Sequence, residues 1–400
     1  MAEGPIRMRA AVLWAVGRAP EVVEVELAPP KAGEVLVRVA ASGVCASDLH
    51  VVEGRLPEPL PLVPGHEAAG VVVAVGPDVG RVGVGDHVVL TILSSCGACP
   101  SCRRGRPNFC QRAVAMAASG CLADGTSRLS LNGRRLHHFN AVSSFAEYAV
   151  VPASAVVPIP AEVPLESAAL IGCAVLTGFG AVVNTAAVPA GASVAVFGCG
   201  GVGLHCVQAA RLVGATPIVA VDVQPARLEL ARRLGATHLV DASRQDPVAA
   251  VRAATGGGAA YVFEALGSEE TIGQAWEATE VGGTTVVVGI VPRGRLIRLD
   301  PWNFMSEKVL RGCYLGSADI VRDVPRLVEL YRRDRLRLDE LVTARLPLTR
   351  VGEALDRLRA GEGVRSVIVP DGADVVPASP GPGGLREPGP GDRDAGPARR

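Results

Sequence analysis

The stretch Ser193-Val-Ala-Val-Phe-Gly-Cys-Gly-Gly-Val-Gly203 decides the fold of this chain. Residues 193–197 are a short, mostly apolar run that predicts a buried strand, and the glycines lead into a helical pattern. The glycines permit a tight turn and let the backbone approach a pyrophosphate at the helix N-terminus. We therefore predict a dinucleotide site here; the alternative is a glycine-rich turn without a ligand. Its residues would be Gly198, Gly200, Gly201, Val202 and Gly203.

The acidic residue that ends the next predicted strand indicates which dinucleotide binds. Asp222 lies twenty-four residues after Gly198. A carboxylate there hydrogen-bonds the adenosine ribose hydroxyls and repels a 2′-phosphate, which favours NAD over NADP. Arg227 is expected to flank the ribose.

The chain on either side of this turn shows two different patterns. Residues 174–316 alternate short apolar strands with helices, which predicts a parallel sheet with right-handed crossovers. Residues 7–149 read as an irregular, mostly antiparallel β domain. The predicted class is α/β, with a mostly β domain beside a doubly wound parallel sheet. Predicted strands cover 10–16, 22–27, 34–40, 69–75, 87–90, 193–197, 217–221, 238–240, 260–263, 284–288 and 365–369; predicted helices cover 202–213, 225–234, 323–331 and 349–360.

Composition excludes several classes of function. Forty Lys and Arg balance forty Asp and Glu, so charge favours neither nucleic acid nor an anionic membrane surface. No apolar run approaches the roughly 18 residues of a membrane span, and the N-terminus lacks a signal-peptide pattern. We therefore expect a cytoplasmic location. The Pro/Gly-rich segment 371–400 is predicted to be a disordered tail.

Four cysteines lie within fifteen residues: Cys96, Cys99, Cys102 and Cys110. Zinc favours four thiolates in a tetrahedron, and such a site leaves no ligand position for water, so we predict a structural zinc. The alternative is a pair of disulfides, as in small secreted scaffolds. We call the segment of about residues 94–112 the four-cysteine lobe.

A second group of metal-ligand residues is scattered along the chain. Cys45 lies in Gly43-Val-Cys-Ala-Ser-Asp-Leu-His50, His66 in Gly65-His-Glu67, and Cys173 follows Gly172. Spacing alone does not join them, because a lone histidine or cysteine is more often packed in a core than bound to a metal.

These motifs, together with the lobe and the glycine turn, follow one another as in a known family. The chain resembles the zinc-dependent alcohol dehydrogenases of the medium-chain dehydrogenase/reductase superfamily, from about residue 7 to 370. The resemblance implies a GroES-like catalytic domain (1–174), a Rossmann NAD-binding domain (175–318) and a return to the catalytic domain (319–370). It implies a small-molecule alcohol or aldehyde as substrate.

The resemblance also assigns roles to individual residues. Cys45, His66 and Cys173 would bind a catalytic zinc and leave a fourth position open, giving two zinc ions per chain. Asp48 would fix the tautomer of His66. The proton of the alcohol would pass from Ser47 through the nicotinamide ribose to His50.

Two further residues have roles that the sequence leaves more open. Glu67 would sit behind the zinc and assist ligand exchange, or form an ordinary buried salt bridge. Arg365 matches a coenzyme-binding arginine of the family. It would matter more here because Ala46 stands where relatives commonly place Arg or His against the pyrophosphate.

The segment 116–148 is similar to the longer, animal-type and glutathione-dependent formaldehyde dehydrogenases of the family. These are typically dimers that pair through the edges of their nucleotide-binding sheets. We therefore expect a homodimer, with interface strands at 297–299 and 309–315.

Departures from the family pattern limit the substrate. Formaldehyde–thiol enzymes carry an arginine where this chain has Val114, and Arg112 is out of register. The pocket is expected to include Ile92, Phe139 and Ile290, to be apolar and to lack an anion clamp. A neutral primary or secondary alcohol is thus favoured. The alternatives are a thiol-dependent formaldehyde dehydrogenase and a non-catalytic, zinc-stabilised NAD-binding protein.

Overall fold

The computed structural model describes residues 4–370. The predicted disordered tail at 371–400 lies outside the described residues. Within the described part, no single helix is long and apolar enough to cross a membrane; the bent pair Leu165–Gly172 and Ala174–Thr185 meets that test only by length and composition.

The N-terminal part is built mainly from antiparallel strands. Its strands are β1 (Ile6–Val12), β2 (Glu21–Leu27), β3 (Glu34–Gly43), β4 (Leu62–Val63), β5 (Ala68–Val75), β6 (His87–Leu90), β7 (Leu129–Leu131), β8 (Arg134–Arg135), β9 (His137–His138), β10 (Tyr148–Pro152) and β11 (Val156–Ile159). Its helices are α1 (Ala46–Val52), α2 (Pro100–Arg103), α3 (Gln111–Ser119), α4 (Leu165–Ala169) and α5 (Ala174–Gly180). A four-stranded sheet has the order β1-β2-β7-β8, and β4 pairs with β9.

The middle of the chain alternates strands and helices and forms a parallel sheet. Its elements are β12 (Val194–Phe197), α6 (Gly201–Leu212), β13 (Ile218–Asp222), α7 (Pro225–Leu234), β14 (His238–Asp241), α8 (Pro247–Thr255), β15 (Ala259–Glu264), α9 (Glu269–Ala278), β16 (Thr279–Val287) and β17 (Val309–Gly312). The order β14-β13-β12-β15-β16-β17 is that of a doubly wound Rossmann sheet. Such sheets bind ligands at the carboxyl end of the central strands, where β12 leads into the glycine turn.

The last described segment returns to the N-terminal part. It contains α10 (Ile320–Arg332), β18 (Val342–Pro347), α11 (Val351–Arg359) and β19 (Arg365–Val369). β19 pairs with β3, where Val367 lies opposite Gly43, so the N-terminal part and the last described segment build one seven-stranded sheet. That sheet runs β11-β6-β5-β3-β19-β18, with β10 also paired to β3.

Short helical turns connect these elements, and one apolar core joins the two parts. The 3₁₀ helices cover Pro107–Phe109, Ala153–Ala155, Leu170–Gly172, Pro301–Ser306, Leu315–Ser317, Asp339–Leu341 and Leu348–Arg350, and a π-helical segment covers Ala181–Thr185. The largest buried cluster contains Cys45 from the β part, Phe179 from α5 and Val196 from the parallel sheet. The β part and the parallel sheet are therefore joined by one continuous buried core.

The structure confirms the strand–helix alternation and corrects some of its bounds. The first strand covers Ile6–Val12 rather than 10–16. The segment 297–299, expected as an interface strand, pairs with no other strand within the described residues, and its role at an interface between two copies stays a prediction. The second expected interface segment contains a strand only at Val309–Gly312, which is the sheet edge.

Candidate active site

The first part of the site is the start of α1, which the sequence analysis did not predict as a helix. Cys45 is the residue before the helix, and its backbone N–H donates to Asp48 Oδ2 at 3.0 Å. The other carboxylate oxygen of Asp48 accepts from Gly65 N at 3.0 Å and lies 3.1 Å from His66 Nδ1. Asp48 thus ties together the segments that carry Cys45 and His66, in the orienting role that the resemblance implies.

His66 is held from a second side by a tight backbone turn. Gly65 has φ +90°, and a Cβ there would lie 2.4 Å from Phe145 N. The Phe139 ring meets the imidazole edge-on, with centroids 5.3 Å apart. Cys173 precedes α5 and completes the group.

The structure brings Cys45, His66 and Cys173 together, with all ligand atoms within 4.8 Å of one another. We call these residues the three-ligand cluster. His66 Nε2 is buried without a hydrogen-bond partner, while its Nδ1 faces Asp48. Two thiols and an imidazole nitrogen left without a partner fit a catalytic zinc, which takes three protein ligands and leaves one position open.

The two thiols of the cluster shift each other's pKa in opposite directions. The hydrogen bond from Cys173 holds the pKa of Cys45 well below its ordinary value, and the same contact raises the pKa of Cys173. Burial opposes a charge on His66, but Asp48 and Cys45 outweigh it and raise the pKa of the imidazole.

Glu67 lies behind the cluster in a buried ion pair. Its Oε1 is 3.3 Å from Arg365 Nη1, and its Oε2 accepts from Ala174 N at 3.0 Å. Burial raises the pKa of Glu67 to about 7, against the opposing effect of Arg365. Both sequence interpretations of Glu67 agree with this position, and its place behind Cys173 links two ligand segments.

A cavity of about 680 Å³ opens in front of the three-ligand cluster. Ser47 and His50 line it, and Ser47 Oγ lies 4.0 Å from Cys45 Sγ. Burial, together with the Arg55 guanidinium, lowers the pKa of His50 from its ordinary value. The other lining residues are Ala46, Leu56, Pro57, Glu58, Ile92, Val114, Ala117, Ala118, Asn140, Thr177, Val202, Ala265, Leu266, Val288, Gly289, Ile290, Arg293, Cys313, Tyr314 and Leu315.

The glycine turn lies where β12 meets α6, as predicted. Gly198 has φ +91°, and a Cβ on Gly203 would lie 1.7 Å from Gly198 O, so both positions require glycine. A Cβ on Gly200 would meet nothing within 4 Å, which leaves open space at the start of α6. A pyrophosphate fits this cradle because backbone N–H groups of a helix N-terminus point into it.

The other predicted cofactor residues surround this turn. Asp222 accepts from Cys199 N at 2.7 Å and from Gln224 N at 2.9 Å. Arg365 lies against the turn, since a Cβ on Gly201 would meet its Nε at 2.1 Å. Arg227 donates to the carbonyls of Gly361 and Gly363, at 2.7 Å and 3.2 Å, so its guanidinium holds the segment before β19.

The four-cysteine lobe forms a second group of possible metal ligands. The sulfur atoms of Cys96, Cys99, Cys102 and Cys110 lie within 4.8 Å of one another, and none of the four forms a disulfide. Backbone N–H groups of Cys102 and Gln111 lower the pKa of Cys99 to about 6. Four thiols with backbone donors around them fit a structural zinc, and the disulfide alternative is wrong.

Comparisons with known proteins agree with this geometry. The alcohol dehydrogenase GroES-like domain matches residues 31–161, and the zinc-binding dehydrogenase domain matches residues 201–333. The chain is 39% identical to alcohol dehydrogenase class-3 of Drosophila melanogaster over 369 residues, covering 91% of this chain and 97% of that protein. It belongs to the zinc-dependent alcohol dehydrogenases of the medium-chain dehydrogenase/reductase superfamily.

Other similar proteins carry names that specify dehydrogenases or alcohol dehydrogenase domains. The chain is 40% identical to S-(hydroxymethyl)glutathione dehydrogenase of Synechocystis sp., covering 91% of this chain and 100% of that protein. Among solved structures it is similar to benzyl alcohol dehydrogenase of Acinetobacter calcoaceticus, with TM-score 0.86, 35% identity, and coverage of 91% and 99% of the two chains. A zinc-binding alcohol dehydrogenase domain protein of Burkholderia ambifaria gives TM-score 0.87 at 39% identity, with the same coverage.

Family membership makes the chain a zinc-dependent oxidoreductase that interconverts alcohols and aldehydes or ketones with a nicotinamide cofactor. This family membership argues against the alternative of a non-catalytic, zinc-stabilised NAD-binding protein.

The substrate pocket of this alcohol dehydrogenase differs from its prediction at three positions. Ile92 and Ile290 line the cavity, but Phe139 is fully buried against His66. The expectation of an apolar pocket without an anion clamp needs a correction at two positions, because the charged side chains of Glu58 and Arg293 also line the cavity. Burial raises the pKa of Glu58 to about 7, although Arg293 opposes the shift.

Proposed function

We propose that this chain is an NAD-preferring dehydrogenase of neutral primary or secondary alcohols. The carrying observation is the cavity, which joins the three-ligand cluster to Val202 of the glycine turn and has a mostly apolar lining. Apolar side chains at Ile92, Val114 and Leu315 suit the body of a small alcohol. The solved relative whose name specifies benzyl alcohol supports an aromatic or apolar substrate.

The residues of the cavity divide the chemistry between them. Bound zinc would polarise the substrate oxygen, and bound nicotinamide would accept the hydride. Ser47 lies beside Cys45, and its hydroxyl would accept the proton of the alcohol while donating its own proton, through the ribose hydroxyl of a bound nicotinamide cofactor, to His50. His50, lining the same cavity, passes a proton towards water, while Asp48 keeps Nε2 of His66 directed at the metal position.

The test of this function is a panel of alcohols with NAD⁺ or NADP⁺. Benzyl alcohol and short apolar alcohols are expected to be oxidised with NAD⁺. Lack of turnover with every alcohol, in protein that contains zinc, would overturn the proposal.

The preference for NAD is carried by Asp222 at the end of β13. Its carboxylate lies at the glycine turn, held by Cys199 N, where a 2′-phosphate would meet its charge. In Asp222→Gly we expect the ratio of kcat/KM for NAD⁺ to that for NADP⁺ to fall at least about tenfold. An unchanged ratio would contradict this assignment.

Two zinc ions per chain are part of the proposal. The three-ligand cluster and the four-cysteine lobe each offer a donor set that suits zinc.

The proposed domain division, at about residues 174 and 318, follows the change from one sheet to the other.

A second candidate is a thiol-dependent formaldehyde dehydrogenase. Arg293 lines the cavity and offers a cation for the carboxylate of a thiol adduct. Against this candidate, Val114 occupies the position at which formaldehyde–thiol enzymes carry an arginine. Formaldehyde oxidation that requires a low-molecular-weight thiol would establish this candidate; oxidation of alcohols without a thiol would exclude it as the main activity.

We also propose a homodimer in the cytoplasm. β17 is the edge strand of the parallel sheet; its own Val309 is exposed, and so are Trp302 and Met305 in the segment before it. An edge strand next to apolar surface suits pairing with a second copy. Light scattering after size exclusion is expected to give a mass of two chains; a monomer or tetramer would contradict the dimer.

A further inference from the structure

The four-cysteine lobe reaches the substrate cavity through Tyr314. Asn108, between the third and fourth cysteines, is 3% exposed and donates from Nδ2 to Tyr314 O at 3.2 Å. The next residue, Phe109, stacks on the Tyr314 ring with centroids 5.6 Å apart and planes 17° apart. Arg106 covers the Phe109 ring, with its guanidinium carbon 5.0 Å from the centroid. A hydrogen bond from the Asn108 side chain to the Tyr314 carbonyl and a ring stack therefore join the lobe to Tyr314.

Tyr314 is a wall of the cavity close to the reacting groups. It lines the cavity beside Cys313 and Leu315. Burial raises the pKa of the Tyr314 phenol, and the charges of Cys173 and Glu58 contribute to this shift. Tyr314, Glu58 and Cys173 thus line the same cavity.

The segment 313–316, which carries Tyr314, is anchored by the parallel sheet and by α5. Cys313 N donates to Val287 O at 2.9 Å. Gly316 packs on α5, where a Cβ would lie 2.1 Å from Leu176 O, and its carbonyl accepts from Asn184 Nδ2 at 3.2 Å. The lobe therefore contacts Tyr314, a cavity-lining residue whose neighbouring backbone is bonded to the parallel sheet.

The lobe also sets a second wall. Its last cysteine, Cys110, is fully buried and is the residue immediately before α3. Val114, Ala117 and Ala118 of α3 line the cavity. The position of Cys110 therefore fixes where these small side chains lie.

We propose that the four-cysteine lobe is a specificity element of the active site, in which Asn108 and Phe109 position Tyr314 to hold the body of the alcohol. This role rests on the alcohol dehydrogenase function proposed above. Phe109 and Asn108 are positioning residues, since they act through Tyr314. The substrates affected most are aromatic alcohols, because their rings contact the Tyr314 wall.

The experiment uses Phe109→Ala with Arg104→Ala as the matched control, since Arg104 is exposed in the same lobe. In Phe109→Ala we expect the KM for benzyl alcohol to rise about three- to tenfold, the equivalent of one aromatic pair, with kcat and the KM for NAD⁺ nearly unchanged. Phe109→Tyr restores the KM. Hydrogen–deuterium exchange at residues 313–317 accelerates in Phe109→Ala and stays at the wild-type rate in Arg104→Ala.

A variant on the other side of the stack guards against simple misfolding of the lobe. Tyr314→Leu leaves the lobe sequence intact and is expected to raise the same KM, and the double variant is no worse than either single variant. Unchanged exchange and KM in Phe109→Ala, or fully additive effects in the double variant, would overturn the proposal. Wild-type protein that oxidises no alcohol would refute the proposed function, while the exchange measurement would still decide the coupling.

Discussion

The three-ligand cluster and the four-cysteine lobe offer similar metal ligands but differ in burial and in what lies next to them. Cys45, His66 and Cys173 are all buried and face a cavity of about 680 Å³, and His66 is oriented by the carboxylate of Asp48. Three of the four lobe cysteines are only partly buried, and backbone N–H groups donate to the sulfurs of Cys96 and Cys110. Three ligands beside a cavity leave room for substrate, whereas four ligands in a tight loop exclude it. The number of protein ligands and the presence of an adjoining cavity therefore distinguish the expected catalytic site from the expected structural site.

The largest effect that tests this comparison is expected from Cys45→Ser. We expect kcat/KM to fall at least about 10³-fold, because the Lewis acid is lost or misplaced. One zinc ion per chain is lost, and Tm changes little. The matched variant Cys99→Ser also loses one zinc but mainly lowers Tm. Full activity in Cys45→Ser, measured with metal analysis on the same sample, would be incompatible with the comparison.

A smaller effect is expected from Asp48→Asn, which keeps every metal ligand. The amide cannot replace the carboxylate that orients His66 and holds Cys45 N, so kcat/KM is expected to fall about 10- to 100-fold. Asp86→Asn is the control, since Asp86 accepts from Gly83 N in a surface turn. Equal activity of the two variants would show that Asp48 has no orienting role.

His50 gives a smaller, pH-dependent effect. Its pKa is lowered by burial and by Arg55, so the imidazole stays neutral and able to accept a proton until the pH falls below its ordinary value of 6.5. In His50→Gln the oxidation rate at pH 7 is expected to fall about tenfold, with recovery at higher pH or in amine buffers. A pH–rate profile that coincides with wild type would remove His50 from the proton path.

The smallest effect concerns stability at the charged part of the cavity. The pKa of Glu58 is about 7 in the folded protein, above its ordinary value of 4.5. Between these values the folded state binds more protons than the unfolded state, so the free energy of unfolding decreases as pH rises. In Glu58→Gln this decrease is expected to shrink by no more than about 2 kcal/mol, because the group is partly solvated. Urea unfolding at pH 5 and 7.5 measures it, with the exposed Glu269→Gln as control; identical slopes in both variants would contradict the assignment.

The sequence predicted those parts of the site that short motifs determine. The glycine turn could be predicted because only glycine fits at Gly198 and Gly203, and the lobe could be predicted because its four cysteines are close in sequence. Cys45, His66 and Cys173 are far apart along the chain, and only the family resemblance joined them. Their convergence depends on how β5, α1 and α5 pack, which spacing does not show.

Side-chain directions in loops could not be predicted. Phe139 was expected in the pocket, but its side chain lies behind His66, while Asn140 lines the cavity. Asn140 and Ala141 have φ of 52° and 57°, a backbone conformation that no local apolar pattern announces. Arg293 and Tyr314 reach the cavity from loops around β17 for the same reason: tertiary packing, not sequence period, directs them.

Anomalous diffraction at the zinc absorption edge, on crystals of the purified protein, tests the central claim most directly. Two peaks per chain are predicted: one bound by the four lobe sulfurs, and one bound by Cys45, His66 and Cys173 with a non-protein atom in the cavity. A single peak in the lobe, with the three-ligand cluster empty in fully active protein, would contradict the account.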